Sequence, residues 1–463
     1  MLRTYDLAAV DQYQATRDPD VIPADPDSAF HLSRAVGFEA TLYGLPSALQ
    51  YAQMCEQTHV LADGSWAGLN EFTHQTEIAG PGFAAFRVPN VDTLYSNAWF
   101  YLQDSGVDLT LPDCGPRYFT LNLLDAHGNA TNISSRTHGR GPHRILLVGS
   151  EWEGEAPPGS SLFRVATPIM WGLLRIQVLG PQDLDAVRAL QDEVRVAADA
   201  GAGSAAASWP RLTAAEVESD WESYFTAVDT VLRVCGIPAE EWAHVKRFQA
   251  IGVGGESLFD PAALPEAIRR GVQVGFTEAF EVLRSSRSQL GVSDGGGWTR
   301  VANKGRHGTN YTARAIMNHV GLGANVVEEN TSFNTYRDVA GEQLDGRTGR
   351  YELTFSSTPP VSFFWSVTLY VADTGRVSAN SLSRYSIGGS VSGDARDAVR
   401  LTIQCAPPDD PADHELWLPA PPAEFFLVLR AYGPKQELLD GTWVPDGVRR
   451  IGDGGGPGTE APG

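Results

Sequence analysis

Lysine is nearly missing from this chain. Only Lys246, Lys304 and Lys435 occur, so arginine carries most of the positive charge. Any chemistry through a lysine Schiff base, pyridoxal phosphate included, must use one of these three. Cysteine is scarce as well: Cys55, Cys114, Cys235 and Cys405 lie far apart and form no Cys-x-x-Cys. That spacing argues against a disulfide framework and a structural zinc site, and one long-range disulfide stays open. Basic charge is outweighed, with 35 basic against 56 acidic residues and a formal net charge of −21. Such a surface repels phosphate backbones and anionic lipid, which argues against nucleic-acid and membrane partners. No segment is apolar enough to span a bilayer, and the start Met1-Leu2-Arg3-Thr4-Tyr5-Asp6 lacks a hydrophobic signal core. The expectation is a soluble, cytoplasmic protein. His-Glu-x-x-His and Walker A patterns are absent. Gly252-Val253-Gly254-Gly255 lacks the strand–helix context of a dinucleotide cradle.

What is present is the composition of an ordinary globular protein, 42% hydrophobic over 463 residues, which favours more than one domain. Residues 1–27 read as a loose, polar lead-in. Apolar spacing from Ser28 to about Gln57 predicts an amphipathic helix bent at Pro46. Strand-like runs then follow: Ala84–Val88, Ala98–Leu102, Tyr118–Leu124, Ile145–Val148, Leu162–Ala166 and Leu173–Leu179. They complete a first unit over 28–180. Residues 181–325 read as helical. A helix starts near Asp183 and continues through Val194 and Val196, and Gly201–Ser208 is a connector. Thr213 with Glu216 forms a capping box for a helix over 214–234, and Pro238 and Pro265 open further helices. Asp294-Gly295-Gly296-Gly297 is a break, with a short helix near Ala313–Val320. A second β unit over 326–451 carries Tyr351–Phe355, Phe363–Val371, Val399–Gln404 and Phe425–Tyr432. Residues 452–463 read as a disordered tail. The fold class predicted is α+β: two antiparallel β-rich domains, sandwich or barrel-like, with an N-terminal helix and a helical middle. No internal repeat is visible in the sequence.

Three polar clusters interrupt these runs. In Asn90–Trp99, alternation sets Leu94, Ser96 and Ala98 on one face and Thr93, Tyr95, Asn97 and Trp99 on the other. Asp92 is a candidate general base and Tyr95 a candidate acid or oxyanion donor. Their plainer roles are a turn bond for Asp92 and packing for the aromatics. The loop after Leu124 holds Asp125, His127, Asn132, Arg136, His138 and His143. Asp125 is a second catalytic carboxylate, Asn132 a substrate-orienting amide, and Arg136 a clamp for an anionic group. The three histidines are candidate metal ligands, against the commoner role of solvated loop histidines. In the third cluster, Phe364, Ser366, Thr368 and Tyr370 share a face opposite Trp365. Trp365, Tyr370, Arg384 and Tyr385 are candidates for substrate binding, with Asn90. Arg430 and Tyr432 read as structural.

Several of these runs have a family likeness. Tyr43-Gly44-Leu45-Pro46, Val88–Trp99, Arg117–Asp125, Asn132, Arg136-Thr137, and Trp171 with Arg175 match one pattern. Gly321–Asn325, Pro359–Tyr370, Asn380 with Arg384-Tyr385, Trp417–Pro421 and Leu429–Trp443 match another. At these positions the chain resembles proteins that pair two families of unknown function, number 1254 at the N-terminus and number 1214 at the C-terminus. The resemblance implies two β-rich domains with helices before and between them, and it carries no catalytic roles. The chain departs from the pattern at His138, where the family has threonine, and at Leu416 before Trp417, where it has asparagine. Many relatives have an export signal.

The functional expectation is an enzyme using acid–base chemistry on a small organic molecule, of hydrolase or lyase type, without an organic cofactor. Asp92 would be the base, Tyr95 the acid, and Arg136 or Arg384 the anchor. The first alternative is a binding protein for a carbohydrate or other polar ligand. The second is a divalent-metal enzyme using His127, His138, His143, Asp92 or Asp125. A homo-oligomer is left open.

Overall fold

The computed structural model describes residues 22–83, 88–102, 106–198, 201–286, 290–302, 304–390 and 398–453. The expected strand over 84–88 lies outside these residues apart from Val88. So do most of the lead-in and nearly all of the tail, of which Gly452 and Asp453 close a strand. The fold is α+β with β-rich domains. Two compact units are formed: Met1–Leu42 with Ile237–Glu281, and Tyr43–Gly236 with Val282–Gly463.

In the first unit, the N-terminal part of α1 (Pro26–Gln57) lies against the helix beginning at Glu266. A Cβ on Gly271 would sit 2.0 Å from Ser33 Oγ, and one on Gly275 2.3 Å from Arg34 O, so glycine is what allows this backbone approach. Arg34 and Glu278 clasp the same pair of helices with two hydrogen bonds.

The second unit holds the sheets. Its strands are β1 (Phe72–His74), β2 (Thr93–Tyr101), β3 (Val107–Leu111), β4 (Phe119–Asp125) and β5 (Ala130–Ser134). They continue with β6 (His143–Gly149), β7 (Ser161–Val165), β8 (Ile169–Gln177) and β9 (Arg195–Ala198). After the helices come β10 (Gly291–Gly295), β11 (Trp298–Val301), β12 (Asn330–Thr335), β13 (Gly349–Phe355) and β14 (Val361–Val371). The last are β15 (Ser386–Ser390), β16 (Val399–Gln404), β17 (Trp417–Pro419), β18 (Phe425–Pro434) and β19 (Arg449–Asp453). Among the described residues the four larger sheets have the orders β1-β2-β8-β4-β5 with β9-β3-β6-β7, and β10-β11-β12-β18-β14-β15 with β17-β16-β13-β19, and a small antiparallel ladder ahead of them joins His59–Val60 to Trp66–Ala67.

Each pair of sheets encloses one apolar core. Leu94, Ala98, Phe100, Leu121 and Leu174 meet Leu109, Ile145 and Leu147 in the first sandwich. Phe333, Val367, Leu369, Leu427 and Leu429 meet Leu353, Leu401 and Ile403 in the second. Each buried Leu, Ile, Val or Phe side chain among them contributes about 1.5–3 kcal/mol.

The two sandwiches repeat one topology, which the sequence reading did not find. Strands β1 to β9 correspond in order to β11 to β19: β2 pairs β8 as β12 pairs β18, β8 pairs β4 as β18 pairs β14, and β3 pairs β6 as β13 pairs β16. The parallel pairs β6–β7 and β16–β17 also correspond. Side-chain contacts follow the repeat. Arg144 bonds Asp108 across β6–β3, and Arg400 contacts Glu352 across β16–β13. Trp99 stacks on Trp171 in the first copy, and Tyr336 on Phe426 in the second. Loops of different length hide the correspondence from a fixed-period search.

Other expectations are corrected locally. The helix from Leu184 stops at Glu193, because Val194 turns extended and Arg195–Ala198 joins β3 as an edge strand. The helix expected over 214–234 is two helices. Thr213 and Glu216 form the capping box, but Asp220 breaks the run and caps Trp221–Cys235 by accepting from the N–H groups of Glu222 and Ser223. The connector at Gly201–Ser208 contains a helical turn, Ala202–Ala205. Strand β3 was not anticipated.

Candidate active site at the seam of the two sandwiches

Alternation in β2, β4, β8, β14 and β18 gives each large sheet one apolar and one polar face. The apolar faces make the two cores, and the polar faces are turned to one another and to the segments between them. Ladder register sets out the polar rows. Tyr95, Arg175, Thr120 and Ser134 lie side by side on β2, β8, β4 and β5. Ser332, Arg430, Ser366 and Gly388 take the corresponding places on β12, β18, β14 and β15. Arg175 and Arg430 are therefore equivalent positions of the repeat. The second half of α1 lies along the first polar face, with Ser47 donating to Ala126 O and Gln50 to Asp125 O.

Buried polar groups need partners, and here many partners come from the opposite sandwich. The Asp92 carboxylate accepts from Ser366 Oγ at 2.6 Å and from Ser386 Oγ at 3.0 Å. Asn90 takes the turn role: its Oδ1 accepts from the Asp92 N–H at 2.6 Å, and its amide donates to the Tyr432 hydroxyl. Tyr118 donates to Glu329 at 2.7 Å, and Ser134 and Arg136 donate to the other oxygen of that carboxylate at 3.0 and 2.8 Å. The Asn132 side-chain amide donates to Thr120 and Asn325, and its Oδ1 has no partner among the described residues. Tyr370 donates to Pro89 O. Phe364 and Tyr432 stack with ring centres 4.0 Å apart, and Tyr118 packs against both.

Positive charge is concentrated in this seam. Arg430, buried, donates to Thr368 and Val88 O and lies over the Tyr370 ring. Arg175 lies 5.0 Å over the Tyr95 ring and donates through Nη2 to Gly323 O at 3.2 Å. Its Nη1 is shut off from solvent and has no partner among the described residues. Lys304, 8% exposed, donates to Asn330 Oδ1 at 3.0 Å. Burial pushes the Lys304 ammonium down to about 7, and the charges of Arg430 and Arg175 add to the effect. Tyr432 is raised well above its usual value, by burial first and then by the charge of Asp92, so its phenol stays protonated. His307, in the same loop as Lys304, is buried with neither ring nitrogen partnered among the described residues. Burial and the charge of Arg314 push it down to about 4.

Of the residues expected to form a site, the seam gathers Asn90, Asp92, Tyr95, Asn132, Arg136 and Tyr370. It does not gather the others. Asp125 closes its own turn, accepting from the N–H groups of His127 and Asn129 and from the Asn129 amide. Trp365 is in the second core against Phe355. Arg384 holds the backbone oxygens of His414 and Trp417. Tyr385 packs in the small cluster of Val377, Phe426 and Tyr370. His127 meets Gly236 O, His138 meets Thr137, and His143 meets Gly139 O. Among the described residues no three His, Cys, Asp or Glu side chains are grouped as a metal site would need. Sequence reasoning missed Lys304, Glu329 and Tyr118, and read Arg430 and Tyr432 as structural. The available signal was an arginine inside the otherwise apolar run Phe425–Tyr432.

Among the described residues no helix is long and apolar enough to cross a membrane. No curated protein matches the chain. Among solved structures it is similar to the VPA0106 protein from Vibrio parahaemolyticus, with a TM-score of 0.69, 20% identity, and coverage of 90% of this chain and 100% of that one. This likeness concerns the fold. An uncharacterized protein from Burkholderia cenocepacia matches with a TM-score of 0.40 and 12% identity, over 93% of this chain and 91% of that one. Family models match in two places: Protein of unknown function (DUF1254) at residues 69–198 and Protein of unknown function (DUF1214) at 329–436. With the first domain ahead of the second, the chain resembles the proteins in which these two domains of unknown function are paired.

Proposed function

We propose that the seam binds a small organic anion and that the protein is an enzyme acting on it by acid–base chemistry, of hydrolase or lyase type. The observation that carries this reading is the solvent-shielded Nη1 of Arg175, without a partner among the described residues, in a seam where Arg175 and Arg430 both act on the buried Lys304. Unpaired positive charge in a buried place is costly unless an anion compensates it. The nearby carboxylates are already engaged, Glu329 by Arg136 and Asp92 by two serines. Asp92 is the base in this reading, with unused lone pairs beside its two serine bonds. Tyr432, kept protonated, replaces Tyr95 as the acid, because Arg175 covers the Tyr95 ring.

The carbohydrate-binding alternative is less well supported. It calls for aromatic rings in an open groove, and Trp99, Trp171, Trp365 and Tyr370 are all buried. The test is titration calorimetry with phosphate and small carboxylates, followed by turnover assays on a panel of small esters and hydroxy acids. Arg175→Gln should weaken anion binding about 10- to 100-fold. Asp92→Asn should lower kcat about 100-fold or more while leaving binding. Absence of anion binding to the wild-type protein would defeat the proposal.

A further inference from the structure

We propose that Lys304 is a nucleophile for carbonyl compounds: its amine condenses with a small 2-oxo acid in the seam, and Arg175 receives the acid's carboxylate. This inference rests on the reading of the seam as an anion site and names the substrate class.

Of three lysines in the chain, Lys304 is the one buried on a polar sheet face. Buried lysines ordinarily pair with a carboxylate, and long ones reach back to water. Lys304 has neither outlet. Its hydrogen bond goes to a neutral amide oxygen, Asn330 Oδ1, and it has no ion pair among the described residues. Two guanidiniums, Arg175 and Arg430, add their repulsion, so the uncharged amine is the form this environment favours. An uncharged amine is what attacks a carbonyl carbon.

The lysine is also held in place. Gly305, next in sequence, has φ +75° and accepts from the Ala130 N–H at 2.6 Å. A Cβ there would lie 2.8 Å from Val326 N, so the loop is pinned between β5 and the segment at Asn325-Val326. That segment ties the two ends of the proposed site together: Gly323 O receives Arg175, and Asn330 receives Lys304. A 2-oxo acid carries its carboxylate one bond from its carbonyl, so one small molecule offers both the anion that Arg175 lacks and the electrophile that Lys304 would take.

The step balances as follows. The amine lone pair forms the C–N bond and the carbonyl π pair moves to oxygen, which is protonated. The carbinolamine then loses that oxygen as water. In sum, amine, carbonyl and one proton give an iminium ion and water, with no change of oxidation state. Tyr432 is the protonated hydroxyl at hand. It already accepts from Asn90, which leaves its own hydrogen to donate, and it is the ladder partner of Asn330.

The test is reductive trapping on the full chain. Protein is incubated at neutral pH with pyruvate and cyanoborohydride, and the modified lysine is located by peptide mass mapping. Parallel samples use acetone, which lacks the carboxylate. Pyruvate should label Lys304 at least about tenfold more than the half-exposed Lys246 and the exposed Lys435, which have no arginine placed to receive the carboxylate. Arg175→Gln should reduce labelling by pyruvate at least about tenfold more than labelling by acetone, which loses only the repulsion that Arg175 exerts on the amine. Lys304→Arg should abolish the Lys304 label, with its circular dichroism and melting checked against wild type. Absent or non-selective labelling of Lys304 overturns the inference. If anion binding dependent on Arg175 survives that result, the reading of the seam stands without the lysine chemistry. If both fail, the seam is structural.

Discussion

At the scale of single residues, Lys304 is the side chain whose chemistry and stability pull in opposite directions. Its unfolded-state value is near the ordinary lysine 10.5 and its folded value is about 7. The folded protein therefore holds fewer protons at this site between those limits, and stability rises with pH across that window. Below pH 7 the folded state bears the full penalty, on the order of 5 kcal/mol. The groups facing the amine do not reverse this sign: Arg175 from β8 and Arg430 from β18 repel its charge, and Tyr432 stays protonated. Lys304→Met should thus stabilise the protein at pH 6–7, with a gain that shrinks towards pH 10. Asn330 would keep the Ser332 hydroxyl as a donor to its Oδ1. Urea midpoints across that pH range measure it, and a variant less stable than wild type at pH 6 would show that the amine is a structural tie. A residue kept at a cost in stability is a common mark of function.

At the scale of elements, Glu329, just before β12, is the clearest link between the sandwiches. Its side chain is fully buried and receives Tyr118 from the start of β4, Ser134 from β5 and Arg136 from the loop that follows. Arg136 is about one-third exposed, so solvent screens part of its contribution. Arg136→Met should cost about 1–3 kcal/mol, because Glu329 loses its only ion pair among the described residues. Adding Glu329→Gln should restore part of that loss, since a neutral amide needs no counter-charge. Denaturant unfolding of the single and double variants measures both, and a double variant no better than Arg136→Met would count against the electrostatic account. This element also shows what a sequence can reveal. The faces of β2 and β14 are legible because period-two alternation is local: Leu94 and Ala98 against Tyr95 and Asn97, Val367 and Leu369 against Ser366 and Thr368. Glu329 gives no such signal, since its partners lie about 200 positions away. Asp92 and Asn90 were found as polar oddities, but their partners Ser366, Ser386 and Tyr432 stand in other runs. Lys304, in the polar stretch Asn303-Lys304-Gly305-Arg306, reads as surface until the fold closes over it.

For the molecule as a whole, the repeat explains why the seam exists. A lone sandwich of this topology has one large sheet with a polar outer face, and in each copy that face carries an arginine at the equivalent place on its central strand, Arg175 or Arg430. Two copies joined through these faces bury Arg430 and shield the Nη1 of Arg175, and the cross-seam hydrogen bonds replace solvent. The sandwiches should therefore unfold as one cooperative unit, and Asp92 offers a test because it bridges the lead into β2 with β14 and β15. Asp92→Ala leaves the Ser366 and Ser386 hydroxyls without their acceptor, a loss of about 1–3 kcal/mol. If the seam couples the copies, native-state hydrogen exchange will show the slowest amides of β2 and β8 losing as much protection as those of β14 and β18. Thermal unfolding followed by tryptophan fluorescence and by far-UV circular dichroism will then give coincident curves, before and after the substitution. Loss of protection confined to one sandwich, or two separated transitions, would mean that each copy is stable alone and that the polar seam is maintained for its ligand.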